Sequence, residues 1–285
     1  MKIKKAVITS ASPGQHLLPL QNVVDQSGRG RTALQLILDE SVLAGIQEIC
    51  VVICPGDAPS YRQAAGEHAN HLTFVEQDNA RGYGDALSRA ENFVGDEPFL
   101  HLVGDHLYLS QTQKGCAAQL VEIAESEACS VSAVQSTREN QLSLFGAIGG
   151  RRVAKRSGLY EVERVMEKPT PTQAEQQLVV AGLRSSHYLC FFGMHVLTPA
   201  VMELLRTAAD EITGNFQLSP ALAELAHRER YLATEIEGQR YNIGVKYGLL
   251  KAQLALALSG KDRDDILTEL LDLVATRNDA VSSAS

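Results

Sequence analysis

Two periodicities alternate along the chain. Residues 4–8 form a short apolar run that stops at a Ser/Pro/Gly turn, the mark of a buried strand. A polar, glycine-rich loop over 25–30 follows, then a helical pattern over 32–44 that Gly45 closes. Residues 48–54 are β-rich and end on Pro-Gly, so they predict a second strand, parallel to the first by the right-handed crossover rule. The unit recurs as helix 58–68, strand 72–76, a glycine loop at Gly82 and Gly84, helix 86–93 and strand 99–103. Such alternation predicts a doubly wound α/β sheet, whose strand ends deliver the first loop, Gln77 and Asp105 to one edge.

Past Asp105 the pattern loosens into an α+β character. Helix 117–126, strand 130–134, a hairpin-like stretch over 145–159 and strand 161–167 are expected there. Helices over 196–208 and 220–228, a strand over 232–236 and a helix over 247–258 follow, then an amphipathic helix over 263–276 and a polar tail. With no internal repeat and no evident linker, one domain over 1–258 with a C-terminal helix and tail over 259–285 is the expected organisation.

Composition narrows the function classes. Of 285 residues 45% are apolar and 21% charged, which suits a compact globular chain. The net charge of −8 and the lack of any Lys/Arg-rich run offer no field for a nucleic-acid backbone. No apolar stretch approaches spanning length, and the lysines at 2, 4 and 5 precede an apolar segment too short for a signal peptide, so neither a membrane nor export is expected. The cysteines at 50, 54, 116, 129 and 190 show no metal or disulfide spacing, and a reducing cytoplasm is the expected setting.

Three segments carry candidate chemistry. Leu102-Val103-Gly104-Asp105 delivers a carboxylate at a strand end, either as a magnesium ligand or as a turn-forming residue. Gln77 to Ala86 joins a strand to a helix, with Gly82 and Gly84 permitting close backbone approach to a base or phosphate. Glu167-Lys168-Pro169 ends a strand with an acid and a base, suited to sugar hydroxyls and a phosphate, or alternatively to a surface ion pair. The first loop reads Ser12-Pro13-Gly14 and not G-x-G-x-x-G, which argues against a dinucleotide site.

The order of these pieces resembles the sugar-1-phosphate nucleotidyltransferase family, the bacterial UTP:glucose-1-phosphate uridylyltransferases in particular. The likeness runs through Ser12 to Pro19, Gln77 to Ala86, Leu102 to Asp105, Phe145-Gly146, Glu167 to Pro169, Phe216 to Ser219 and Tyr241 to Tyr247. It implies a Rossmann-like, mixed but mostly parallel sheet with helices on both faces, and attack of a sugar-1-phosphate oxygen on the α-phosphorus of a nucleoside triphosphate. By position the resemblance assigns Ala11, Ser12, Gly14, Gln77, Gly82, Gly84 and Asp105 to the nucleotide. It assigns Gly146, Glu167, Lys168 and Gly193 to the sugar phosphate, and Asp105 with Asn242 to Mg2+. UTP and glucose-1-phosphate are the implied substrates, with a homo-oligomer supported by the apolar face over 264–275. A nucleotide-sugar-binding relative without activity, or transfer of another base or to another sugar phosphate, is the alternative.

The first loop departs from the family pattern. His16 stands where the family has an arginine, Ser12 where it has its first glycine, and no lysine occurs between Lys5 and Lys114. Those missing cations would clamp the triphosphate. Arg29 and Arg31 are the expected catalytic substitutes, since arginine forks onto phosphate and their glycine neighbours permit approach; solvated loop residues are the plain alternative. Four histidines, His101, His106, His187 and His195, are too dispersed in sequence for a metal site.

Overall fold

The computed structural model describes residues 1–211 and 214–282. Its N-terminal half contains β1 (Lys5–Thr9), β2 (Asn22–Val24), β3 (Gly30–Thr32), α1 (Ala33–Leu43), β4 (Glu48–Ile53), α2 (Ala58–Ala65), β5 (Leu72–Glu76), α3 (Tyr83–Ser88), α4 (Glu91–Val94), β6 (Phe99–Val103), β7 (His106–Ser110) and α5 (Cys116–Glu127). There follow β8 (Ser130–Arg138), β9 (Ala147–Arg152), β10 (Leu159–Met166), α6 (Pro171–Gln177), β11 (His187–Leu197), α7 (Ala200–Glu211), α8 (Ser219–Arg228), β12 (Tyr231–Glu235), β13 (Gly238–Asn242), α9 (Gly248–Leu258) and α10 (Arg263–Ser282).

Nine strands form one mixed sheet in the order β5-β4-β1-β6-β11-β8-β12-β10-β9. The β-α alternation of the first hundred residues builds its parallel block, with β1 between β4 and β6 and β5 outside β4. Beyond β6 the sheet changes character, as the loosened pattern past Asp105 implied. There β11 runs antiparallel to β6 and β8, β12 pairs β8 in parallel, and β10 and β9 complete that side antiparallel. Successive side chains of a strand point to opposite faces, so Ala6, Ile8 and Val51 join one apolar core with α1, α2, α5 and α9. Val7 and Val52 join another with α3, α7 and α8. Helices therefore cover both faces of the sheet.

Local signals explain where elements begin. Thr32 caps α1 in a reciprocal pair, its hydroxyl accepting from the Gln35 amide at 3.1 Å while the Gln35 side chain accepts from the Thr32 amide at 3.0 Å. Gly45 follows that helix with φ +87°, a turn that favours glycine. The largest difference from the sequence pattern is β11. Its apolar run is buried on both faces, so period-two alternation is absent, and Val196 and Leu197 end this strand instead of opening a helix. Strands β7 and β13, a separate antiparallel pair, were likewise not legible. The C-terminal helix extends to Ser282, and residues 283–285 of the expected polar tail lie outside the described residues. Among the described residues no helix is long and apolar enough to cross a membrane.

Candidate active site

The carboxyl ends of the parallel block open onto a cleft of about 580 Å³. Ala11, Ser12, Gln77, Gly82, Asp105, Gly146, Glu167, Lys168, Gly193 and Asn242, drawn from across the chain, all line it.

Gln77 sits immediately after β5, buried, its amide nitrogen donating to Asp85 Oδ2 at 2.6 Å and to the Gly82 carbonyl at 3.3 Å. Gly82 has φ +128°, and a Cβ there would lie 2.6 Å from the Phe216 carbonyl, so only glycine fits.

Asp105 follows β6 and accepts from His106 Nδ1 at 2.7 Å. Burial pushes its carboxyl up, but the charge of His106 and this hydrogen bond outweigh it and hold the pKa below the ordinary value. Asn242 arrives at the same place because β13 pairs with β7, opposite His106, and the Ile243 amide donates to the Asp105 carbonyl at 2.8 Å. Two oxygen-bearing side chains thus converge from adjacent strand ends, the kind of donor set a hard divalent cation takes. One lone pair of Asn242 Oδ1 accepts from the Gly244 amide at 2.8 Å.

On the opposite wall Ser219 donates to Glu167 Oε2 at 2.6 Å, and the Lys168 amide donates to the Phe145 carbonyl at 3.2 Å. Gly146 has no room for a side chain, since a Cβ would meet Phe191 at 2.8 Å and Ser219 at 2.9 Å. Gly193 lies where the β11 register shifts between Phe191 and His195, with φ +88°. Its carbonyl accepts from Tyr108 at 2.8 Å.

Four assignments need correction. Gly14 has φ +84° and serves the turn, but it does not line the cleft. Gly84 faces the chain at 216–217: its amide donates to the Phe216 carbonyl at 2.8 Å, which removes it as a donor to a base. Arg31 is on β3, held by Asp39 at 2.9 Å and outside the cleft lining. Arg29 belongs to the turn where Asp25 accepts from its amide at 2.9 Å, and it too lies outside the lining. Neither arginine supplies the missing clamp in this geometry. His16 is likewise occupied, paired with Asp57 at 2.5 Å. Among the described residues, Lys168 is the sole lysine or arginine on the cleft wall.

The fold also recruits groups that sequence spacing did not single out. His106 and His195 line the cleft with Tyr83, Asn215 and Gln217, while His187 stays at the outer start of β11. His195 Nδ1 meets Ser132 Oγ at 2.5 Å and its ring stacks on His101 at 5.8 Å. His101 in turn joins Thr9 and Tyr83, each at 3.2 Å. The signal for Gln217 was the segment Phe216 to Ser219; for His195 there was none, because the strand that carries it was not recognised.

Comparison with known proteins agrees with this geometry. A family model described as Nucleotidyl transferase matches residues 5–253. A UTP–glucose-1-phosphate uridylyltransferase of Mycoplasma genitalium is 30% identical over 301 residues, spanning 96% of this chain and 98% of the relative. One from Streptococcus pneumoniae serotype 4 is 28% identical over 305 residues, spanning 95% and 96%. Among solved structures, UDP-glucose pyrophosphorylase from Acinetobacter baumannii superimposes with a TM-score of 0.76 at 24% identity, over 95% of this chain and 99% of that one, a likeness of fold. The cleft, the order of its motifs and a match over most of the length place this chain in the nucleotidyl transferase family.

Proposed function

We propose that the chain transfers a uridylyl group from UTP to glucose-1-phosphate, giving UDP-glucose and pyrophosphate. The observation that carries this is the convergence in one cleft of a buried amide (Gln77), a strand-end carboxylate with an amide beside it (Asp105, Asn242) and an acid with a lysine (Glu167, Lys168). The curated relatives bearing the name of that activity support the choice of base and sugar. A phosphate oxygen of glucose-1-phosphate forms the new bond to the α-phosphorus, and the bond to the bridging oxygen breaks, pyrophosphate leaving with the electron pair. Such a step needs alignment and charge neutralisation more than a protein nucleophile.

In this reading Gln77 and the chain at Gly82 meet the uracil, Glu167 the sugar hydroxyls and Lys168 the sugar phosphate, with Gly146 and Gly193 letting the chain pass close. Asp105, ionised by its environment, and Asn242 are the residues that would hold Mg2+, which when bound offsets phosphate charge. A homo-oligomer in the cytoplasm fits the same reading, with the exposed Leu267, Leu271, Leu273 and Val274 of α10 covered by a second copy.

Pyrophosphate release with magnesium, across a panel of nucleoside triphosphates and sugar-1-phosphates, tests the proposal. UTP with glucose-1-phosphate is expected to lead, and Asp105→Ala to lose at least about a hundredfold. That Lys168 is the single lysine on the cleft wall among the described residues favours one second reading, a binding protein for nucleotide sugars. Saturable binding of UDP-glucose without release from any pair would establish that reading instead.

A further inference from the structure

The Gln77 amide has two hydrogens, and the fold uses both. One goes to Asp85 Oδ2 at 2.6 Å and the other toward the Gly82 carbonyl at 3.3 Å. A carbonyl and an ionised carboxylate are acceptors only, so the NH2 group must face them and the amide cannot be reversed. Oε1 is the part of the side chain left to meet a ligand.

Asp85 is itself fixed. It is 1% exposed, and its other oxygen, Oδ1, accepts from Arg81 at 3.0 and 3.2 Å and lies 3.4 Å from Arg89. Burial raises its pKa, but the Gln77 hydrogen bond and the two arginines outweigh that and leave the carboxyl below its ordinary value, hence ionised. Two arginines on one oxygen and one amide on the other make a relay with a defined polarity. It runs from arginine donor to carboxylate acceptor, then from amide donor to amide carbonyl.

We propose that Asp85 is a positioning residue for base choice, locking Gln77 so that its carbonyl oxygen faces the base and selects a pyrimidine with a hydrogen on N3 over one with a lone pair there. Uracil carries N3–H and matches; cytosine presents its N3 lone pair to the Gln77 oxygen, and two acceptors repel. The inference rests on the reading that Gln77 meets the base.

Asp85→Asn removes half of the lock. The new amide turns its oxygen to Arg81 and Arg89 and its NH2 to Gln77, so only the Gly82 carbonyl still holds the Gln77 NH2 inward, and the orientation that presents NH2 to the cleft and matches cytosine is no longer barred by a carboxylate. The test dialyses full-length protein with magnesium against an equimolar mixture of UTP and CTP and measures the bound ratio by mass spectrometry. Because both nucleotides compete for the same folded molecules, that ratio does not depend on the folded fraction of a variant. Wild type is expected to favour UTP, and Asp85→Asn to shift the ratio toward CTP by about threefold to tenfold, the worth of one hydrogen bond lost from the lock. Gln77→Ala is expected to bring the ratio near unity. A ratio that moves in Gln77→Ala but not in Asp85→Asn overturns the lock and leaves base reading by Gln77 standing. A ratio unmoved in both variants overturns the lock together with that reading of Gln77.

Discussion

At Asp105 and His195 burial leads to opposite outcomes, and neighbours decide which. Asp105 has a hydrogen-bonded imidazole beside it and stays ionised against the cost of burial. His195 faces Ser132, Phe191 and the neutral ring of His101, none of which stabilises a proton, and burial depresses its pKa to about 3. His101 lies well below its ordinary value too, first by burial and then because a proton on one ring would repel a proton on the other. Both rings are neutral in the folded chain and free to protonate when it unfolds. The unfolded state therefore binds more protons between about pH 3 and pH 6.5, and stability falls as pH falls through that window. His195 contributes up to about 1.4 kcal/mol per pH unit there, and His101 acts in the same direction. Urea unfolding is expected to show a lower free energy at pH 5 than at pH 7, and His195→Asn a smaller difference between the two. Equal free energies at both pH values in the wild-type protein would contradict neutral burial of the pair.

Among the elements, α3 shows how a glycine motif serves packing as much as binding. Gly84 lets the first turn of α3 rest against the chain at 216–217, where a Cβ would stand 2.7 Å from the Gln217 carbonyl. Because the clash is with backbone, a larger side chain must displace the segment that brings Gln217 and Ser219 to the cleft. Gly84→Ala is expected to cost about 1–3 kcal/mol of unfolding free energy at unchanged denaturant slope, measured by urea titration. A cost below about 0.5 kcal/mol would mean the contact is loose.

This element also marks how far the sequence could be read. Strands whose period and flanking turns agree, such as β1, β4, β5 and β6, were legible, and so were the residues at their ends, Gln77 and Asp105. The strand β11 was not, since burial on both faces erases alternation, and with it went His195. Arg31 was legible as a cation near glycines, but its partner Asp39 lies on the next helix, a tertiary fact that spacing does not carry.

For the whole molecule the outstanding question is charge. The chain carries a net −8, and of its 26 lysines and arginines Lys168 alone is on the cleft wall among the described residues. A triphosphate and a sugar phosphate together bring several negative charges into that space. The cations of the family's first loop are absent here, and among the described residues the cleft's own means of offsetting charge are Lys168 and the pair Asp105 and Asn242 as a site for magnesium. Removing Lys168 is therefore expected to cost far more than a surface lysine would. The measurement that bears most directly on the account is the rate of UDP-glucose formation from UTP, glucose-1-phosphate and magnesium, followed by chromatography for wild type and Lys168→Ala. Steady turnover by the wild type, reduced at least about a hundredfold in the variant, is the predicted result. Absence of UDP-glucose from the wild-type reaction at any substrate concentration would contradict the account.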